Sequence, residues 1–62
     1  MKLKLWLEIN MIRQRKFAKE LGVSEGALSR WIKGNRRPKP VIAARIEKLT
    51  RGKVSRLELL YP

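Results

Sequence analysis

Apolar residues recur along this chain at spacings of three and four, in short stretches broken by glycine, proline and serine. In RQRKFAKEL, residues 13–21, Gln14, Phe17, Ala18 and Leu21 share one face and Arg15, Lys16, Lys19 and Glu20 fill the other, which predicts a helix. Gly22 follows as its C-cap, where a left-handed backbone is free of Cβ strain. Only Val23 separates it from Ser24, a favourable N-cap, and Glu25 lies in the positive first turn of the helix that follows. That helix is expected to run to about Lys33, with Leu28, Trp31 and Ile32 inward and Gly34 as its stop. Helices joined by so tight a turn must cross steeply.

The flanking segments extend the pattern. In KLKLWLEIN, residues 2–10, Leu3, Leu5, Leu7 and Ile9 alternate as a strand would, while Leu3, Trp6 and Leu7 form a helical stripe. Helix is favoured, since a lone strand has no partner elsewhere in the chain. Asn35–Pro40 is a basic loop pinned by proline, with Pro40 at a first helical position where its missing N–H is harmless. A fourth helix is predicted over 40–50 with Ile42, Ile46 and Leu49 inward, ending near Gly52. Ser55 and Glu58 have capping-box spacing and start a short last helix whose core positions, with Val54, would be Leu57 and Leu60. The sum is an all-α bundle of about five short helices in one domain, 1–62.

Composition narrows what such a bundle can do. The chain has no cysteine and no histidine, which removes disulfides, the usual zinc, haem and iron–sulfur sites, and Ser–His or Cys–His nucleophile pairs. Its five acids are scattered glutamates, so no metal site and no cofactor is expected, and the chain does not read as an enzyme. The longest apolar run is Val41–Ala44, far short of a membrane span, and no signal peptide is visible. Sixteen Lys and Arg against five acids leave a net charge of +11. Residues 13–39 carry nine of those cations and two carboxylates. A polyanion is the obvious partner, because cations set against phosphates release condensed counterions.

The spacing Gln14, Phe17, Ala18, Leu21, Gly22, Val23, Leu28, Trp31 has a mechanical reason at each step. Ala18 must be small where the second helix crosses, Gly22 makes the left-handed turn, Val23 fits between the helices, and the large residues hold the pair on the core. These are the demands of a helix-turn-helix, over residues 14–34. The stretch QRKFAKELGVSEGALSRWIKGNRRPKP, followed by IEKLTRGKVSR, resembles the Cro and phage-repressor class, and in particular the small Cro-like and YdaS-type regulators of phages and prophages. Related proteins occur in all-α and α+β forms; the capping box at Ser55 favours all-α. Lys39 stands where such proteins often place serine, which predicts a fourth helix without a side-chain cap.

The resemblance implies a lambda-repressor-like fold whose second motif helix enters the major groove of double-stranded DNA. Ser24, Glu25, Gly26, Ser29, Arg30 and Lys33 would then face base edges, with Arg30 suited to the O6 and N7 of guanine. Phosphate contacts would come from Gln14 with its neighbours Arg13 and Arg15, and from Asn35, Arg36 and Arg37. Trp6, Phe17 and Trp31 read as core rather than as base-stacking groups, since they fall at helical spacing with Leu and Ile. The implied activity is sequence-specific transcriptional repression in the bacterial cytoplasm by a homodimer on a palindromic operator, with no membrane and no small-molecule effector. Leu59, Leu60 and Tyr61 exceed what a short last helix can bury and are expected to form the dimer contact, with contacts between the fourth and fifth helices as the alternative. The competing reading is an antitoxin-like or adaptor module whose DNA binding is incidental.

Overall fold

In a computed structural model that describes residues 1–61, helix α1 spans Leu3–Ile9 and buries Leu3 and Leu7. The strand alternative at this end fails because the outer residues, Leu5 and Ile9, have nothing packed over them and stay exposed. Helix α2 spans Gln14–Leu21 and helix α3 spans Glu25–Lys33, joined through Gly22, Val23 and Ser24. Helix α4 spans Pro40–Leu49 and helix α5 spans Arg56–Leu60. The described residues are thus all-helical, with no strand among them.

The turn between α2 and α3 is built as its residues dictate. Gly22 adopts φ 83°, a left-handed conformation, and its amide donates to the Ala18 carbonyl at 2.9 Å. Ser24 Oγ accepts from the Ala27 amide at 3.1 Å, satisfying one of the free donors at the start of α3. α2 packs chiefly on α3 and also on α4, while α4 packs on α5. Phe17, Ala18, Leu21 and Leu28 are buried together with Leu3, Leu7, Ile46 and Val54 in one core. Trp6, Val23, Trp31 and Ile32 lean on that core half-buried, and the Trp6 and Phe17 rings meet at 5.8 Å with a 60° tilt. The aromatic residues therefore serve packing, as their spacing predicts.

The C-terminal third differs from the pattern read along the chain. α4 turns Ile42 and Ile46 to the core as expected and buries Ala43 as well, but it leads into a buried Thr50, and Leu49, expected inward, lies outside, 39% exposed. Thr50 is selected for the interior by hydrogen bonding. Its hydroxyl donates to the Glu47 carbonyl at 3.2 Å and accepts from the Val54 amide at 3.1 Å. The helix stops at this residue, and both Arg51 and Gly52 then take left-handed conformations. Val54 precedes α5, so counting helical steps from it misplaces the inner face. Leu57, expected inward, is 61% exposed, Leu60 is half-buried, and Leu59 packs on the core instead.

α5 itself starts as predicted. Ser55 Oγ accepts from the Leu57 amide at 3.1 Å, and Glu58 Oε2 accepts from the Ser55 amide at 3.2 Å, completing the capping box. Glu47 Oε2 accepts from the Arg56 amide at 3.0 Å, so α4 also caps α5. α4 has no side-chain cap, in keeping with lysine at position 39.

Candidate nucleic-acid interface

Burial of Leu28 turns the opposite side of α3 outward. Glu25, Gly26, Arg30 and Lys33 are exposed there and Ser29 is half-buried. At 1.5 Å per residue this face is about 12 Å long, comparable with the ~12 Å width of the B-DNA major groove. Ser24 stands at its start, exposed, but its Oγ is engaged in capping, which leaves the hydroxyl hydrogen as its outward group. A Cβ built on Gly26 meets nothing within 4 Å. Nothing inside the fold therefore requires glycine at this position.

Groups suited to phosphate lie to both sides in the chain. Arg13 is the N-cap of α2, yet its side chain makes no capping bond, and no acid occupies the first turn of that helix. The amides of Gln14, Arg15 and Lys16 are thus left without the usual side-chain acceptor, with Arg13 and Arg15 exposed alongside and Gln14 half-buried. After α3, the Asn35 and Arg36 amides both donate to the Arg30 carbonyl, at 3.0 and 3.4 Å. These bonds fold the loop back beneath the end of α3, and buried Pro38 anchors it. Asn35, Arg36 and Arg37 line a shallow depression beside Gly34.

The six cations at these positions are Arg13, Arg15, Arg30, Lys33, Arg36 and Arg37, and all are exposed. Among the described residues the ion pair found is the Met1 amine with Glu58, at 2.8 Å, so none of the six is neutralised by a carboxylate. Glu25 is likewise free of an ion pair and stands in the first turn of α3, where it complements the helix dipole. Among the described residues no cluster of metal-binding side chains occurs, and no helix is long and apolar enough to cross a membrane.

Two positioning residues escape a reading of the chain alone. Arg45 Nη1 donates to the Leu21 carbonyl at 3.1 Å, tying α4 to the end of α2 beside the Gly22 turn. Thr50 fixes the α4–α5 corner. Arg45 finds its partner 24 positions away only in the assembled fold, whereas Thr50 bonds residues three and four positions off but stands outside the apolar stripes and side-chain caps read along the chain. Of the C-terminal residues expected to pair two copies, Leu59 packs half-buried on the core, Leu60 is half-buried and Tyr61 is 73% exposed. Leu57, absent from that expectation, adds to the exposed apolar surface.

Fold and site together define a small, basic helix-turn-helix protein. Residues 13–61 match the family model described as bacterial toxin YdaS, and the chain belongs to that family. No curated protein and no solved structure matches it significantly.

Proposed function

We propose that the chain is a sequence-specific, double-stranded DNA-binding regulator that represses by covering promoter sequence. The observation that carries this reading is the outward face of α3, flanked in the chain by uncapped amides and unpaired arginines before it and by a tethered arginine loop after it. In this reading Arg30 bonds guanine through its fork, Ser29 and Lys33 contact neighbouring base edges, and Glu25 accepts from a cytosine amino group. Gln14, Arg13, Arg15, Asn35, Arg36 and Arg37 hold phosphates and set the register. One recognition helix contacts few base pairs, so two copies are expected on a two-fold operator.

Selection from a random duplex pool, followed by fluorescence anisotropy, tests it. A palindromic site should be enriched, and Arg30→Ala should cost about 1–3 kcal/mol on that site while leaving non-specific binding nearly intact. Binding that shows no preferred sequence at any salt concentration would sink the proposal.

The family description favours a second reading, in which the protein arrests bacterial growth. If arrest follows from DNA occupancy, Arg30→Ala relieves it in a growth assay on induced cells. Full arrest by that variant, at equal expression, would place the target elsewhere.

A further inference from the structure

The end of α3, the start of α1 and α5 enclose an open groove of about 530 Å³, of which the DNA reading uses only the rim cations Lys33, Arg36 and Arg37. Leu3, Trp31, Ile32, Val54, Leu59 and Tyr61 supply its apolar lining. Trp31, Ile32 and Leu59 are only half-buried there, and Tyr61 is exposed. Lys2, Lys4, Lys33, Arg36 and Arg37 also line it, all exposed. The single carboxylate among the described lining residues, Glu58, is held by the Met1 amine at 2.8 Å. Among the described residues the groove thus pairs an apolar lining with five cations that no acid offsets.

We propose that this groove receives an acidic amphipathic helix of a partner protein. Such a helix would set its apolar side chains on Trp31, Ile32 and Leu59 and its carboxylates on the surrounding cations. Charge complementarity selects this occupant. A second copy would bring a chain of net charge +11 against the same five cations. Duplex DNA supplies negative charge but no apolar ridge for the lining. The volume falls within the roughly 300–1,000 Å³ of ordinary binding sites, and recognition of a helix in a groove needs only anchors at i, i+3 or i+4, and i+7. Because Lys33, Arg36 and Arg37 are shared with the DNA face, an occupied groove would withdraw one base contact and two phosphate contacts; this last consequence rests on the DNA reading.

The test is a nitrogen–proton correlation spectrum of the full chain, titrated with a synthetic peptide of about 16 residues, long enough to form a helix. The peptide carries leucine at i, i+3, i+4 and i+7 with glutamate on its other face, and a scrambled peptide of equal composition is the control. The Trp31 indole and the Ile32, Leu59 and Tyr61 amides should shift saturably, with the scrambled peptide at least tenfold weaker. Tyr61→Ala and Lys4→Glu should each weaken binding at least threefold with an unchanged circular dichroism spectrum. Equal binding by the scramble, shifts on the outer face of α3 instead, or no shifts would overturn the proposal. So would movement of the groove signals with protein concentration alone, which would assign the groove to a second copy. Duplex DNA added to a parallel sample separates the two readings. Shifts at Gly26 and Ser29 without any peptide response defeat only the groove, and the converse defeats only the DNA face. DNA shifts confined to the groove overturn both.

Discussion

Gly22 and Gly26 lie four residues apart, yet the structure gives them opposite roles. Gly22 is held at φ 83°, and an added Cβ would lie 3.8 Å from Arg45 Nη1, an ordinary contact. The penalty for Gly22→Ala is therefore backbone strain, about 1–2 kcal/mol, rather than a clash. Gly26 has helical geometry and open space around it, so Gly26→Ala should stabilise the fold by about 0.5 kcal/mol through a less flexible unfolded chain. If α3 approaches DNA closely at this point, the same methyl should weaken duplex binding about tenfold, equivalent to ~1.4 kcal/mol. Thermal melts set beside anisotropy titrations check both signs; a variant that is more stable and binds equally well would remove Gly26 from the interface. Thr50 supplies a third contrast. Thr50→Val keeps the shape and adds apolar surface but leaves the buried Val54 amide without its acceptor, so a loss of about 1–3 kcal/mol is expected in urea unfolding.

Helix ends were easier to read from the chain than helix faces. Gly22, Ser24, Gly34 and the Ser55–Glu58 box act through bonds to residues within a few positions, and each stands in the structure where its residue type suggests. The faces of α4 and α5 depend on what packs against them. Leu49 lost its inner place to Thr50 because Val54 and Glu47 offer the hydroxyl hydrogen bonds, and Leu57 points out because Val54 lies before the helix and Leu59 takes the place on the core. The candidate interface divides the same way. Its residues on α3 and the loop were legible from caps and charge, whereas Arg45 bonds a carbonyl 24 positions away and gave no local signal. The α5 cap also predicts a pH response. The Met1 ammonium, aided by the Ser55 amide, holds Glu58 below its ordinary value of 4.5 despite an opposing contribution from desolvation. A carboxylate whose pKa is lowered on folding adds stability above its unfolded pKa and loses it as pH falls through the folded one. Melting temperature should thus hold near neutrality and decline once pH drops below about 4.5. Glu58→Gln, which can keep the capping geometry, should flatten part of that decline; an identical acid profile would show that the ion pair contributes nothing.

Eleven net positive charges sit on a body measuring 25 × 22 × 18 Å. At about 0.01 M salt the screening length is ~30 Å, longer than the molecule, so each cation repels every other; at about 0.15 M it falls to ~8 Å. Folding and DNA binding should therefore answer salt in opposite directions. Added salt relieves self-repulsion and should raise the melting temperature of the free protein over this range. The same salt should weaken its hold on duplex DNA, since binding is driven by release of counterions from neutralised phosphates. Arg13, Arg15, Arg36 and Arg37 provide four flanking cations in each copy, or eight in a dimer, which gives a slope of log K against log salt of roughly −7. A single bound copy would give about half that slope. Removing both Arg36 and Arg37 takes away two phosphate contacts per copy and should make the dimer slope shallower by about four, with the preferred sequence unchanged. Arg30→Ala should act the other way, relaxing sequence preference while altering the slope by less. If the loop variant instead changed which site is preferred, the loop would be reading bases, and the division of labour between α3 and its flanks would have to be redrawn.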